Sequence, residues 1–240
     1  MAESSPQPAY DAKGEAKALL RTAREAALAT RDRASGAPFV TLVGVASDHS
    51  GAPLLLLSTL SSHTKNLAAA PGASLLLAAP YRRGDPLNRP RLTLVGALTP
   101  TDDPKARARY LARNPKAKLY AGFADFSMFR FETSAVHFNG GFGKAAPLAP
   151  ADIATDLAGA EALLSEEEAL LNAVNKRGPA FLSPLAGRNA RWRAIGLDPE
   201  GLDLAAGASA ARVSFATPAP TPAAWLKALD ARVKGAGPMT

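Results

Sequence analysis

The sequence predicts an α+β protein: an antiparallel β-barrel with peripheral helices, followed by a small C-terminal α+β unit. Three observations support this fold class: many short strand-like segments, hairpin-length connections between most of them, and few helical patterns within the series. So many strands with so few intervening helices argue against a doubly wound parallel sheet. At 240 residues and 47% hydrophobic content, the chain can form one large domain or two small ones.

The N-terminal third of the chain predicts one helix and two strands. Residues 1–12 are polar and contain proline, which predicts disorder. Residues 13–27 have the pattern of an amphipathic helix, with Leu19 on the apolar face and Arg21 on the polar face. Strand patterns follow at 26–30 and 38–46, and Asp48-His49-Ser50-Gly51 has the composition of a hairpin turn with His49 exposed.

The middle of the chain supplies the rest of the barrel. Strands are predicted at 54–58, 74–79, 91–99, 126–131 and 133–139, with a turn around Glu132 separating the last two. A short helix lies between the first two of these strands. A second helix begins at Asp102-Asp103-Pro104 and ends near Arg113, and its basic face is expected to be solvated. The barrel then has about seven strands.

The C-terminal part predicts a second, smaller unit. The glycine-rich segment 140–145 either approaches a ligand or partner closely or is a flexible exit from the barrel. Residues 146–152 (APLAPAD) are expected to be a linker. The unit is predicted to begin with an acidic helix over 153–174 that is broken near Gly159. It continues with strands at 192–197, 202–204 and 211–215 and ends with a helix over 221–233. Glu166 to Glu168 are expected to form a solvated helix face. The predicted divisions are 1–12, 13–146 for the barrel and 151–236 for the C-terminal unit.

The start of the short helix after residue 58 predicts an anion-binding site. Hydroxyls and cations gather there at Ser58, Ser61, His63, Thr64 and Lys65, and the first helical turn contains no acid. This conflicts with the helix dipole, which favours negative charge at an N-terminus, and a bound phosphate would resolve the conflict. The alternative is that Ser62 only caps the helix while Lys65 points into water.

Composition excludes several functional classes. The chain has no cysteine, and therefore no disulfide, thiolate or Cys-ligated metal chemistry. Its longest apolar runs are far shorter than a membrane span, and its N-terminus lacks the pattern of a secretory signal, so we expect a cytoplasmic protein without membrane contact. The net charge is +7, but the cations are dispersed and not interleaved with aromatics, so we expect no nucleic-acid partner.

The chain resembles the pyridoxamine 5′-phosphate oxidase-like FMN-binding split barrels. The resemblance rests on segments 23–32 (AREAALATRD), 38–78 (PFVTLVG to SLLLA) and 90–115 (PRLTLVGALTPTDD and ARARYLARNP). The chain is also similar to the subset of this family that has a C-terminal DUF2470-like domain. This similarity rests on segments 140–145 (GGFGKA), 192–204 and 211–229. That subset includes haem-utilisation proteins of the HugZ type and the plastid protein that binds glutamyl-tRNA reductase. The fold so implied is an antiparallel split β-barrel with an accessory, dimer-bracing domain.

The resemblance implies a homodimer with FMN at the subunit interface and a flavin-dependent oxidoreductase activity on an unknown small molecule. The positions that match the family's cofactor site are Ser58, Ser61, His63, Thr64, Lys65 and Asn66, with Arg91, Val43 and Gly44 as further contacts. The first alternative is a HugZ-like haem-binding or haem-degrading protein. Those relatives bind iron through a histidine near the C-terminus, whereas this chain has only His49, His63 and His137. The second alternative is a non-enzymatic dimeric binding or regulatory module. No metal site is predicted.

Overall fold

The computed structural model describes residues 10–81 and 83–235 and contains an eight-stranded and a three-stranded antiparallel sheet. The strands are β1 (Glu25–Arg31), β2 (Pro38–Gly44), β3 (Ala46–Ser47), β4 (Pro53–Ser58), β5 (Gly72–Ala78), β6 (Arg91–Pro100), β7 (Phe126–Asn139), β8 (Ala145–Leu148), β9 (Arg193–Asp198), β10 (Gly201–Ala206) and β11 (Ser209–Ser214). The helices are α1 (Ala12–Thr22), α2 (Ser62–Ala69), α3 (Pro104–Arg113), α4 (Pro150–Ile153), α5 (Glu161–Ser165), α6 (Glu167–Lys176), α7 (Pro179–Leu185) and α8 (Pro222–Gly235).

The larger sheet is curled into a half-barrel. Its strand order is β2-β1-β5-β6-β7-β4-β3, with β8 added to β7. Residues of β2 and β4 also approach each other, although four strands separate them in the sheet. The concave side of this sheet holds the main hydrophobic core, on which α1 also packs. Its fully buried side chains include Leu28, Leu75, Leu92, Leu94 and Phe131. The predicted α+β fold with an antiparallel split barrel is therefore confirmed.

The first helix is shorter than the sequence predicts. α1 ends at Thr22, because Ala23 adopts an extended conformation and residues 25–31 pair with both β2 and β5. Ala26, Leu28 and Thr30 are buried in alternation, and this strand period overrides the helical propensity of the EAALA segment. Asp11 caps α1 by accepting from the Gly14 amide. Of the segment predicted to be disordered, 1–12, residues 1–9 lie outside the described residues. Its last residue, Ala12, is the first residue of α1.

The two strands predicted around Glu132 are one strand of 14 residues, β7. The polar residues interpreted as a turn mark a β-bulge. Val95 pairs with Ala135 and Gly96 with Thr133, so Ser134 is the extra residue. A glycine is needed at the bulge, because a Cβ atom on Gly96 would lie 2.0 Å from the Glu132 carbonyl oxygen.

The segment predicted as a linker, 146–152, also belongs to the fold. β8 pairs with β7 through Val136↔Leu148 and Asn139↔Ala145, and α4 packs on α1. Beyond it, Gly159 has φ of +72° and breaks the predicted long helix, so that α5 and α6 are separate from α4. The two prolines therefore end a strand and begin a short helix instead of forming a free connection.

The C-terminal part has its own hydrophobic cluster. β9, β10 and β11 form a meander, and α6 and α8 cover it. Trp225 is fully buried there, and its indole Nε1 donates to the Asp198 carbonyl oxygen at 3.1 Å. The three predicted strands and the last helix are confirmed. The boundaries 13–146 and 151–236 remain predictions.

Candidate functional site

The anion site predicted from the sequence lies at the N-terminus of α2. β4 ends at Ser58, and α2 begins at Ser62 with Ser61 as its N-cap residue. The Ser61 side chain makes no capping hydrogen bond, and the first turn contains no acidic residue. Ser62 and Lys65 are exposed. The backbone donors of this turn are therefore left to a ligand or to water.

Thr64 adds a second, independent feature to this turn. Its side chain is 8% exposed, and no atom of the described residues hydrogen-bonds to its Oγ1. A buried hydroxyl without a partner costs about 1–3 kcal/mol. Together with the uncapped turn, this hydroxyl favours a bound polar group beside α2.

Two of the predicted ligand residues are instead held by the protein itself. Ser58 Oγ donates to Asp125 Oδ2 at 2.6 Å and accepts from the Leu60 amide at 3.1 Å. Asn66 is 1% exposed, and its Nδ2 donates to Thr30 Oγ1 at 3.2 Å. These bonds fix the loop before α2 and attach α2 to β1. The cofactor role predicted for both residues stays a prediction.

His63 is half-buried in the first turn of α2. Its Nδ1 lies 3.1 Å from Thr41 Oγ1 on β2, so the hydroxyl orients the ring. Burial lowers the pKa of His63 below its ordinary value, which keeps the imidazole neutral at pH 7. A neutral imidazole with one nitrogen held by the protein and the other not engaged by a described residue is the form that binds metals or accepts protons.

Arg91, a further predicted contact, does not lie at α2 within one chain. Gly72, just after α2, pairs with Ala97, whereas Arg91 pairs with Ala78. Six residues of strand separate the two pairs, so Arg91 lies about 20 Å along the sheet from that end. The Arg91 Nη1 donates to the Leu87 carbonyl oxygen at 2.6 Å.

Val43 and Gly44 lie at the end of β2. The side chain of Val43 is buried in the core. A Cβ atom on Gly44 would lie 2.7 Å from Tyr110 Oη, so the absence of a side chain at this position lets α3 approach β2. The predicted contact of their backbone with a flavin stays a prediction.

The convex face of the larger sheet is apolar and exposed. The strand register places side chains of six neighbouring strands on this face in two rows. The rows contain Leu42, Ala27, Leu76, Thr93, His137 and Pro147, and next to them Val40, Ala29, Ser74, Val95 and Ala135. Leu42 is 71% exposed and Val40 is 61% exposed. We call these side chains the convex face; a contiguous apolar surface of this kind is typical of a protein interface.

A buried ionic cluster joins the half-barrel to the C-terminal sheet. We call it the seam cluster. Its members are Arg21, Arg109, Arg113, Glu167, Asp198, Asp203 and Arg212. Asp198 is fully buried, and its two oxygens accept from Arg212 at 2.7 and 2.8 Å, while Arg21 lies 3.3 Å away. Burial opposes the charged form, but these two cations outweigh it and hold the pKa of Asp198 well below its usual range.

Five charged or titratable residues at this seam are more buried than the sequence predicts. The sequence predicts Arg21 on the polar face of the first helix and a solvated basic face for the helix of Arg109 and Arg113, but these three residues are 3–7% exposed. His49 was expected to be exposed but is buried, and its Nε2 lies 2.7 Å from Glu167 Oε2. The same Glu167, expected on a solvated face, also accepts from Arg109 and from the Leu197 amide. The charges are buried because each meets an opposite charge from the other half of the chain, which a local pattern does not reveal.

One signal in the sequence points to this cluster. Asp198 and Asp203 lie within or directly after strand segments that are otherwise apolar. An acid in such a strand is expensive to bury unless it is paired. Apart from Arg212, the basic partners of Asp198 and Asp203 lie 90 or more residues earlier in the chain, so the sequence does not identify them.

The family model described as "CREG, beta-barrel" matches residues 7–154, which is more than half of the chain. The chain belongs to the CREG beta-barrel family. Its half-barrel is the split-barrel fold related to the haem-binding, pyridoxamine 5′-phosphate oxidase-like proteins. The family model covers β1 to β8, α1 and α2, and therefore contains the candidate site.

Several proteins resemble this member of the CREG beta-barrel family. A crystal structure of a protein of unknown function from Agrobacterium tumefaciens is 38% identical over 95% of this chain and 98% of that one, with a TM-score of 0.84. The structure of a heme binding protein from Mycobacterium smegmatis is 26% identical over 97% of this chain and 98% of that one, with a TM-score of 0.56. The non-canonical heme oxygenase HOZ, chloroplastic, of Arabidopsis thaliana is 38% identical over 115 residues, or 46% of this chain. The chain spans about a third of the length of that curated relative.

Among the described residues, no helix is both long enough and apolar enough to span a membrane. Within the same residues, no group of three or more His, Cys, Asp or Glu side chains is arranged to hold a metal ion.

Proposed function

We propose that this CREG beta-barrel protein binds haem as a homodimer and that His63 is the protein ligand of the iron. The observation that carries the proposal is the half-buried, neutral imidazole of His63, whose Nδ1 is held by Thr41 Oγ1. Histidines that ligate metals commonly have their other nitrogen fixed in this way. The named similarities to a heme binding protein and to a heme oxygenase support haem as the ligand.

The other two histidines are less suited to hold iron. His49 lies in the hairpin turn and is buried, and its Nε2 is 2.7 Å from Oε2 of Glu167, a member of the seam cluster. His137 is exposed on the convex face, in the row with Thr93 and Pro147. A dimer formed through that face would cover it. His63 therefore combines partial burial, a fixed orientation and a free second nitrogen among the described residues.

The surroundings of His63 fit the rest of the haem. Leu60, three residues earlier, is 72% exposed and offers apolar contact to the macrocycle. The first turn of α2 offers backbone N–H groups, the hydroxyl of Ser62 and the charge of Lys65 to the carboxylates of the haem. The bound haem would supply redox-active iron. The residues of the chain would bind it, orient it and keep the His63 ring neutral.

Titration of the purified protein with haem tests the proposal. We expect a saturable shift of the Soret band that is lost or markedly weakened in His63→Ala and retained in His137→Ala, which removes the imidazole on the convex face. Sedimentation analysis of the His137→Ala variant checks that the change leaves its oligomeric state the same as that of the unsubstituted protein. A second arm adds a reductant in air, and loss of the Soret band would extend binding to degradation. Equal Soret titrations for the His63→Ala variant and the unsubstituted protein would contradict the assignment.

FMN is the second candidate, favoured by the unpartnered Oγ1 of Thr64 beside the acid-free first turn of α2. A phosphate at this position would accept from that hydroxyl, from the backbone and from Lys65. Removing one charge-assisted contact costs about 1.5–3 kcal/mol, so Lys65→Ala and Thr64→Val are expected to weaken FMN binding. The measurement is FMN fluorescence quenching, with Lys144→Ala as the charge-matched control. Unchanged FMN affinity in both variants would contradict a phosphate at α2.

The homodimer is part of the same proposal. Its support is the convex face, where apolar side chains of six strands lie exposed next to one another. Burying such a face against a second copy would stabilise an assembly through the hydrophobic effect. It would also bring Arg91, which lies at one end of this sheet, into the neighbourhood of a second chain.

A further inference from the structure

A cleft of about 570 Å³ lies in the C-terminal part of the molecule, between the end of α6, the start of α7 and the start of β9. This volume is within the range of small-molecule sites, about 300–1,000 Å³. The cleft is lined by residues of α6, α7, the loop before β9 and the first residue of β9, and none of them belongs to the candidate site at α2. No function has been assigned to it above.

The charge of the cleft is positive. Lys176, Arg191 and Arg193 line it, and no carboxylate does. The surrounding sequence is not basic, because residues 149–240 contain 9 Lys and Arg against 10 Asp and Glu. Within residues 10–81 and 83–235, none of these three cations lies within 4.0 Å of a carboxylate oxygen. One third of the cations of this region therefore gather in one concavity without counter-charges.

Arg177, the residue after Lys176, differs from these three cations because its charge has partners within the fold. Arg177 pairs with Asp230 at 2.8 Å, and its guanidinium lies 3.5 Å from the centre of the Phe181 ring. Its charge is thus engaged by the fold. Arg191 and Arg193 have no comparable ionic partner among the described residues, so their charges are available to a ligand.

The walls of the cleft are held in place. Asn175 Oδ1 accepts from the Ala194 amide at 2.8 Å, and its Nδ2 donates to the Ala194 carbonyl at 3.0 Å, which ties α6 to β9. Trp192 is 3% exposed and is anchored by its Nε1, which donates to the Arg188 carbonyl at 2.9 Å. Arg191 and Arg193 flank Trp192 at the start of β9, and both are exposed and line the cleft.

The non-ionic lining is partly apolar. Pro179 and Trp192 contribute apolar groups to the lining, and Asn172 supplies an exposed carboxamide. Guanidinium groups bind carboxylates, sulfonates and phosphates in a bidentate manner, and their planes stack on flat rings. We propose that this cleft binds a small organic molecule that carries two or more negative charges on a flat, apolar body.

Isothermal titration calorimetry of the full chain with naphthalene-1,5-disulfonate tests this assignment, because the probe is a flat dianion. We expect saturable binding at one site per chain. Arg191→Gln with Arg193→Gln should weaken it at least tenfold, since a hydrogen bond to a charged group is worth about 1.5–3 kcal/mol and 1.4 kcal/mol is tenfold. The matched control is Lys227→Gln with Arg232→Gln, which removes the same charge from exposed positions on α8.

Citrate, a flexible trianion, is titrated in parallel and is expected to bind more weakly than the disulfonate. The assignment is overturned if neither probe binds, if the control pair loses as much affinity as the cleft pair, or if citrate binds as tightly as the flat dianion. Thermal unfolding of both variant pairs checks that the fold is retained. The His63→Ala variant should bind the disulfonate normally, so the outcome here is independent of haem or FMN at α2.

Discussion

Replacing Asp198 by asparagine tests the seam cluster most directly, because the change removes one charge and almost no volume. Asp198 is fully buried and is the carboxylate on which Arg21 and Arg212 converge. In Asp198→Asn, the Oδ1 atom still accepts one hydrogen bond, but Arg21 loses the carboxylate it pairs with among the described residues and Arg212 loses one of its two. Asp203, the other acid nearby, lies 3.0 Å from Arg212 and already faces Arg109 and Arg113 at 3.5 Å.

The expected loss follows from this geometry. Breaking a buried ion pair by removing one partner costs about 3–5 kcal/mol, because the remaining charge is uncompensated. In a chain of this size, each 1 kcal/mol corresponds to about 2–4 °C in Tm. Asp198→Asn should therefore lower Tm by about 6–20 °C.

The assay is urea or thermal unfolding followed by circular dichroism at pH 7. The matched control is Asp230→Asn, since Asp230 pairs with Arg177 at the surface and both side chains are about half exposed. Such a pair is worth about 0–1 kcal/mol. Equal small losses for Asp198→Asn and Asp230→Asn would refute the reasoning. A double variant, Asp198→Leu with Arg212→Met, should recover part of the loss, because an apolar pair leaves fewer buried charges unpaired.

Three further predictions concern other parts of the molecule. Acid should destabilise the protein. Burial opposes ionisation of Glu167, but His49 and Arg109 outweigh it and hold the pKa of Glu167 below its ordinary value. The stability that ionised Glu167 contributes is therefore present above that ordinary pKa and is lost as pH falls through the lower pKa of the folded protein. Glu167→Gln should flatten the dependence of unfolding free energy on pH below about 5, and an unchanged slope would contradict this. Leu42→Glu on the convex face should yield a monomer in sedimentation analysis, where Leu119→Glu, also exposed, should leave the dimer intact. Gly96→Ala should cost about 1–3 kcal/mol in urea unfolding, because its Cβ would overlap a carbonyl oxygen of β7, whereas a wild-type Cm would argue against the bulge.

The sequence predicted the strands well and the charged side chains poorly, for one physical reason. β4 is specified by a continuous apolar run and β6 by apolar alternation at its start, together with turn residues that lie within a few positions of each strand. The burial of Arg109 depends instead on Glu167 and Asp203, which are 58 and 94 residues away. A helical period shows that Arg109 lies off the apolar stripe, but only the tertiary structure shows that a second sheet covers that side.

The same contrast applies to the candidate site. The acid-free helix start at Ser61 was predicted from composition, and the structure has α2 beginning there. Composition did not reveal which hydroxyls are already engaged. Ser58 donates a hydrogen bond to Asp125, whereas Thr64 is buried and has no hydrogen-bond partner in the part of the chain that the structure describes. Hydroxyl residues look alike in a sequence, and only their neighbours decide which of them can still bind a ligand.

The seam cluster bears on the role of the C-terminal part. The half-barrel side contributes three guanidinium groups to the cluster, from Arg21, Arg109 and Arg113, and all three carboxylates come from residues after 160. Without that part, the half-barrel would have three cations at a surface shaped to bury them. The hairpin turn at His49, which contacts Glu167, also leads directly into β4 and from there to α2. The C-terminal part therefore braces its own half-barrel at the strand that ends in the candidate site, and a dimer-bracing role would be additional to this one.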